Sequence, residues 1–278
     1  MLQVARLAPR LLGDSCAKVE AFLQDQFNAD GGACDRDGES DLYYTVFALD
    51  GLCALQAELP TEKVIGFLDR HGKGRDLDLV HLACLARCWA AMPNGPNATV
   101  VEGIVTGLES FRTEDGGYGS IYHCFLALGA YGDLGRDRHE VNALLRSMDA
   151  YRSEDGGYGS SASLAVGSTP VTAAAVTLLQ HLDRELPPEA GRWLLSQAQP
   201  EGGFVAAPEL PMPDLLSTAV ALHALSAMAV DFSSIKEPCL DFIDSLWSGK
   251  AFCGTWADDM EDSEYTFYAL LALGHLSL

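Results

Sequence analysis

The sequence predicts an all-α protein in which six helix pairs close into an α/α barrel. Three observations support this fold class. A glycine-pair phrase recurs along the chain, an amphipathic stretch precedes each copy, and an apolar stretch follows it. Internal repetition with a period of about 40 residues is typical of architectures in which each unit is one supersecondary element.

The glycine-pair repeat sets the number of units. Residues 111–119 (FRTEDGGYG) and 151–159 (YRSEDGGYG) are nearly identical and lie 40 positions apart. Looser copies occupy residues 28–34 and 199–204, and degenerate copies occupy 71–75 and 252–256. These positions predict six helix-hairpin units of about 40–50 residues each.

The two stretches of each unit predict two kinds of helix. Val101, Ile104, Val105 and Leu108 follow the i, i+3, i+4, i+7 spacing of a helix with one buried face. The glycine pair then ends that helix. Residues 215–230 are apolar almost all round, which requires cover on every side. We therefore expect an outer and an inner ring of helices, about twelve in all.

The terminal units favour a closed ring. They are as apolar as the middle units, whereas an open solenoid usually carries polar caps at its ends. We expect one domain over residues 1–278, with a cavity at its centre.

Composition excludes several classes of protein. The chain has 39 acidic and 18 basic residues, for a formal net charge of −21. Nucleic-acid binding requires clustered Lys and Arg, so it is not expected. No apolar stretch is long enough to predict a membrane span. Eight cysteines without a CxxC pair, and no secretory signal, predict a cytoplasmic protein with reduced thiols.

The EDGGYG phrase followed by an apolar helix resembles the repeat of protein prenyltransferase β-subunits and of squalene and terpene cyclases. The resemblance covers nearly the whole chain and is greatest to the β-subunit of the Rab geranylgeranyltransferase type. It implies an α/α toroid (α6-α6 barrel) that handles isoprenoids. It also implies a helical α-subunit as a possible protein partner.

The resemblance implies sites that the sequence matches only in part. The zinc ligands of the prenyltransferases fall on Asp214, Leu216 and Tyr265, so Asp214 is the one candidate metal ligand and the zinc set is incomplete. The basic residues that grip the diphosphate have no counterpart in residues 201–214. The acid motif of the cyclases falls on residues 214–219, where the two middle acids are missing.

Aromatic and acidic residues at the predicted starts of inner helices form the candidate site. Aromatic walls suit isoprenoids because they bury apolar area and their π-faces stabilise cations. Asp214 and Glu264 are the candidate catalytic acids, since an acid in an apolar mouth holds a proton that it can donate. The predicted ligand pocket comprises Tyr43, Tyr44, Phe47, His81, Tyr122, His123, Ser217, Tyr265 and Tyr268.

Three further motifs have structural as well as functional interpretations. Residues 258–262 (DDMED) spell a magnesium-diphosphate motif, but their place before a helix favours an acidic turn. His81, Cys84 and Cys88 share one helix face, which could hold a zinc ion but favours core cysteines and a hydrogen-bonded His. Residues 35–41 resemble part of a calcium loop but lack its bidentate Glu, which favours a polar turn.

Three functions remain open at this stage. The first is a divergent prenyltransferase-like protein that handles an isoprenoid or a prenyl diphosphate in the central cavity. The second is a non-catalytic toroid that binds a terpenoid ligand or a protein partner. The third is a divergent terpene cyclase that uses the surviving acids. The sequence alone does not decide whether the chain is an enzyme or whether it uses zinc.

Overall fold

Six helices of the chain form a closed inner ring. The structure is a computed structural model that describes residues 1–136, 141–162 and 165–278, and its helices are numbered in chain order. Each inner helix contacts the next around the ring, and the last contacts the first. The inner helices are α4 (Leu42–Leu55), α6 (Leu79–Ala90), α8 (Ile121–Asp133), α10 (Thr169–His181), α12 (Leu215–Ala227) and α14 (Ser263–Leu276).

One outer helix precedes each inner helix. This alternation makes all the inner helices run in the same direction. Several outer helices show the amphipathic pattern that the sequence predicts, with the apolar face buried against the inner ring. The outer helices are α3 (Cys16–Asp25), α5 (Thr61–His71), α7 (Ala98–Ser110), α9 (Val141–Asp149), α11 (Pro188–Ser196) and α13 (Lys236–Ser245). The predicted all-α toroid fold is confirmed.

A few elements lie outside the predicted scheme. Two single-turn helices, α1 (Leu2–Ala5) and α2 (Pro9–Leu12), precede the first outer helix, and α1 packs against α4 and α14. Two short antiparallel strands, β1 (Ala33–Cys34) and β2 (Ser40–Asp41), form the turn before α4. Two-residue strands carry no period-two signal, which is why the sequence did not indicate them.

The inner helices begin with polar caps at one end of the ring. Asp41, Asp78, Ser120, Asp214 and Asp262 each accept a hydrogen bond from a backbone N–H in the first turn of their helix. Such caps satisfy N–H groups that have no partner within the helix. They also set a row of carboxylates around this end of the ring, which we call the mouth.

Threonines four residues after the caps hold the glycine turns in place. Thr45, Thr172, Thr218 and Thr266 are fully buried. Each hydroxyl accepts a hydrogen bond from the backbone N–H of a residue just after a glycine turn. The bond fastens the end of an outer helix to the start of the inner helix that follows.

Among the described residues, no helix is both long enough and apolar enough to cross a membrane. All eight cysteines are free thiols.

The glycine turns make a prediction about stability. Gly202 has a φ of 96°, and a Cβ there would overlap the carbonyl oxygen of Pro238 on α13. Gly38 has a φ of 88°, but a Cβ there would meet no atom within 4 Å. Gly38→Ala should therefore lower the free energy of unfolding by about 1–2 kcal/mol, the cost of the left-handed backbone. Gly202→Ala should cost about 3–5 kcal/mol, because the overlap adds to that strain.

Urea unfolding of the two variants and the wild type measures this difference. Equal losses for Gly202→Ala and Gly38→Ala would show that the close approach to α13 contributes nothing to the fold.

Candidate functional site

A hydrogen-bonded cluster crosses the lumen just inside the mouth. The hydroxyl of Tyr43 on α4 donates to Oε1 of Glu264 on α14 at 2.6 Å. Tyr122 on α8 lies close enough to Tyr43 for the two phenols to influence each other's acidity. Because α6 separates α4 from α8 in the ring, the approach of Tyr122 to Tyr43 reaches across the lumen, whereas the bond from Tyr43 to Glu264 joins neighbouring helices. We call Tyr43, Tyr122, Glu264 and Tyr268 the mouth cluster.

Aromatic rings line the wall below the carboxyl group. Phe47 lies one turn below Tyr43, and their ring centroids are 4.9 Å apart in an edge-on arrangement. The ring of Tyr268 lies 5.4 Å from that of Phe47. These rings give the lumen an apolar wall on the α4 and α14 side.

Burial changes the acidity of the mouth cluster. Burial raises the pKa of Glu264 to about 7, although the hydrogen bond from Tyr43 lowers it in part. Burial also raises the pKa of Tyr122 to about 12 and that of Tyr43 well above its usual range. Glu264 therefore holds its proton in part at neutral pH, while the phenols stay neutral donors.

The lumen is open on the α8 side. Tyr122, Gly129 and Asp133 fall on one face of α8, at intervals of seven and four residues. Tyr122 is 39% exposed. Gly129 is exposed in the middle of the helix, and a Cβ there would meet no atom within 4 Å. Open space therefore lies below the mouth cluster.

Arg36 ties the last inner helix to the turn before the first. Its guanidinium binds Asp258 at 2.7 Å and Asp262 at 2.8 Å. The same group lies 5.5 Å from the ring centroid of Tyr265. Residues 258–262 thus act largely as an anchor for Arg36, and Asp262 is buried rather than solvated.

Two predicted pocket residues lie beside this anchor. The ring of Tyr265 packs so closely on Gly254 that a Cβ there would lie 2.5 Å from it. The pKa of Tyr44 is raised by burial and by the charges of Asp262 and Glu264. The structure therefore groups Tyr44 and Tyr265 with the Arg36 anchor.

The remaining predicted site residues are engaged at the rim of the mouth. His81 contacts Asp78 at 2.8 Å and Asp41 at 3.3 Å through its two ring nitrogens, and those carboxylates outweigh burial to raise its pKa. Nδ1 of His123 lies 3.1 Å from the carbonyl oxygen of Tyr118.

Asp214 acts as the cap of α12. One carboxylate oxygen accepts from the backbone N–H of Ser217 at 2.7 Å, and the other accepts from its hydroxyl at 2.7 Å. Burial raises the pKa of Asp214. Ser217 is fully buried, so its hydroxyl serves the cap.

The donor set at the implied zinc position does not fit the metal. Asp214 uses both oxygens in the cap, Leu216 offers no ligand atom, and Tyr265 packs on Gly254. In the part of the chain that the structure describes, no three His, Cys, Asp or Glu side chains converge in a way that suits a metal ion. The chemistry of this site is therefore derived without zinc.

These features define an all-α toroid with an aromatic, acid-bearing lumen. The sequence matches the family model of the prenyltransferase alpha-alpha toroid domain over residues 12–84 and 171–277. The chain belongs to this family, because the match spans well over half of its length. No curated protein matches it by sequence.

Solved structures of similar fold include members of two groups of isoprenoid enzymes. A variant of the type II terpene cyclase MstE from Scytonema, complexed with its substrate geranylgeranyl dihydroxybenzoate, superposes with a TM-score of 0.65 at 13% identity, covering 97% of each chain. The protein geranylgeranyltransferase-I of Candida albicans, complexed with GGPP, gives a TM-score of 0.65 at 13% identity, covering 92% of this chain and 89% of that one. At these identities the likeness shows the fold alone.

The raised pKa of Glu264 predicts a distinct pH dependence of stability. The unfolded carboxyl titrates near 4.5 and the folded one near 7, so the folded state binds the proton more tightly. This contribution is fully present below pH 4.5 and is lost as the pH rises through 7. Relative to Glu264→Gln, the free energy of unfolding of the wild type should fall by up to about 3 kcal/mol between pH 4.5 and 8.

Urea unfolding of both proteins at the two pH values tests this expectation. Tyr43→Phe, which removes a hydrogen bond that lowers the pKa of Glu264, should move the transition to higher pH. Parallel stability profiles for wild type and Glu264→Gln would show that Glu264 titrates normally.

Proposed function

We propose that the chain binds an isoprenoid in the lumen of its toroid. The observation that carries this proposal is the open, partly aromatic face of the lumen between Tyr122 and Gly129 on α8. An apolar chain placed there would bury hydrocarbon against Phe47 and the rings of the mouth cluster, which is the main source of affinity in such sites. The family and the ligands of its solved relatives support the same class of ligand.

The charge of the mouth favours an isoprenoid without a diphosphate there. Asp41, Asp78, Asp214 and Asp262 surround it, and Glu264 lies just inside. The guanidinium of Arg36 is already bound by two carboxylates. A diphosphate at the mouth would meet negative charge with no matching cation on the described residues around it, so we favour a neutral chain over a prenyl diphosphate.

One further feature of the chain is a proposal of the same kind. We propose that residues 1–278 form one domain, supported by the contact between α4 and α14 that closes the ring. A cytoplasmic location and a helical protein partner remain predictions from the sequence.

Binding of a prenyl hydrocarbon tests the lumen site. Tyr122→Ala should weaken the binding of farnesene about tenfold, because it removes an aromatic wall that contributes about 1–2 kcal/mol of apolar burial. Phe111 at the end of outer helix α7 is equally exposed, at 39%, so Phe111→Ala is the matched control. Titration calorimetry with cyclodextrin-delivered farnesene measures both variants.

Two results would count against the lumen site. Equal farnesene affinities for Tyr122→Ala and Phe111→Ala would place binding outside the lumen. No binding to the wild type would favour a toroid that acts as a scaffold for a protein partner.

A second candidate function follows from the protonated state of Glu264. We propose that this carboxylic acid protonates the terminal alkene of the bound chain, as a cyclase or isomerase would. The alkene π-electron pair forms the new C–H bond, the proton leaves Glu264, and a carbocation remains beside the rings of Phe47 and Tyr268. Loss of a proton from a neighbouring carbon back to the carboxylate ends the reaction and regenerates the acid.

Deuterium labelling tests the proton transfer. Incubation with farnesene or geranylgeraniol in D₂O should give products or recovered substrate with solvent deuterium on carbon. Glu264→Gln should abolish the label, while Phe111→Ala should retain it, and mass spectrometry measures both. Unlabelled material from the wild type would exclude this chemistry for these chains and leave the binding function intact.

A further inference from the structure

The opposite end of the lumen carries a second polar cluster. The C-terminal half of every inner helix contributes one Asp, Arg or His, and these residues interact with those of neighbouring helices around the ring. We call this group the floor cluster: Asp50 on α4, Arg87 on α6, Asp133 on α8, His181 on α10, His223 on α12 and His275 on α14.

The guanidinium of the floor cluster is already paired. Arg87 binds Asp50 at 3.0 Å and Asp133 at 3.1 Å. An anionic ligand would have to displace one of these carboxylates. The floor cluster therefore suits a neutral polar group.

A buried imidazole lacks a partner on one side. Nδ1 of His223 lies 3.0 Å from Nε2 of His275. His275 is 3% exposed, and its other nitrogen, Nδ1, is buried without a hydrogen-bond partner. Burial lowers the pKa of His223 to about 3 and that of His275 to about 4, so both rings are neutral at pH 7.

The neutral pair restricts the chemistry of a missing partner. If His223 donates the shared hydrogen bond, Nδ1 of His275 carries a proton and needs an acceptor. If His275 donates it, the same nitrogen is bare and needs a donor. A hydroxyl group satisfies either arrangement, because it both donates and accepts. Buried polar groups are rarely left unpaired, so this unpartnered nitrogen points to such a ligand.

The distance between the two clusters sets the length of the ligand. Tyr122 and Asp133 on α8 lie eleven residues apart, as do Glu264 and His275 on α14. Eleven residues of helix rise about 16 Å. An extended isoprene unit adds four carbon–carbon bonds of about 1.5 Å each, or about 5 Å along the chain. The lumen between the clusters matches about three units.

We propose that the floor cluster binds the hydroxyl end of a prenyl alcohol of about fifteen carbons, with Nδ1 of His275 as the hydrogen-bond partner. This inference rests on the proposed isoprenoid-binding function and adds the orientation of the ligand. The hydrocarbon end then lies beside Glu264, and the oxygen end lies about 16 Å away, at the floor.

A pair of ligands that differ in one group tests the proposal. Farnesol should bind the wild type about three- to tenfold more tightly than farnesene, the range that one ordinary hydrogen bond provides. His275→Phe should remove this preference and leave the affinity for farnesene unchanged. His71→Phe, at the end of outer helix α5, should keep the preference and serves as the matched control.

Nitrogen NMR of the histidine rings provides a test that needs no variant. Farnesol should shift the ring ¹⁵N signals of His275 and His223, because Nδ1 gains a partner, whereas farnesene should leave them in place. Signals that respond to neither ligand, or equally to both, would overturn the proposal even if His275→Phe fails to fold.

The other outcomes separate this inference from the function on which it rests. Equal affinities for farnesol and farnesene would overturn the floor site but keep isoprenoid binding. Tighter binding of farnesoic acid or farnesyl diphosphate than of farnesol would contradict the pairing of Arg87 with two carboxylates and overturn the hydroxyl assignment. Absence of binding by every one of these chains would overturn both.

Discussion

The hydrogen bond between a glycine turn and a buried threonine is the contact on which the ring depends. In four of the six units, the hydroxyl of a threonine four residues after the cap accepts a hydrogen bond from the backbone N–H of a residue that follows the turn. In the unit of α8, Cys124 occupies this position and its thiol interacts with the backbone of Tyr118. Because the turn is fastened to the first turn of the inner helix, the caps of successive helices are held at one level. The mouth and its carboxylates follow from that alignment.

Ring closure uses a different interaction. Neighbouring units share apolar side chains, but the first and last units are also joined by Arg36 with Asp258 and Asp262, more than 200 residues away in sequence. Asp262 is at the same time the cap of α14. Asp262 therefore both helps to close the ring and caps the helix that carries Glu264. The positive charge of Arg36 also lowers the pKa of Glu264, which opposes the effect of burial.

The sequence predicted the fold well because the features that define this fold are local patterns. Glycine pairs, one-sided outer helices and fully apolar inner helices are all periodic signals that need no knowledge of distant contacts. It also placed Tyr43, Phe47, Tyr122, Glu264 and Tyr268 at the starts of inner helices, where the structure brings them together across the lumen.

The sequence could not sort those residues by the direction of their side chains. Tyr43 and Tyr44 are neighbours, yet a rotation of 100° per residue sends one to Glu264 and the other toward Arg36. Asp214 and Glu264 were equivalent candidate acids in the sequence. Only the structure shows that both carboxylate oxygens of Asp214 accept hydrogen bonds from Ser217. The floor cluster escaped notice because its members lie in separate helices without a shared motif, although single ionisable residues inside otherwise apolar helices were a usable signal.

The two ends of the lumen make ligand binding and protonation dependent on each other. Burial already holds the pKa of Glu264 near 7 while Tyr122 and Gly129 still face open space. An apolar chain that fills this space removes water from the carboxyl group and disfavours its ionised form further. By linkage, the protonated protein binds such a chain more tightly than the ionised one. A ligand held at the floor by its oxygen would therefore place its hydrocarbon end beside an acid that its own binding has protonated.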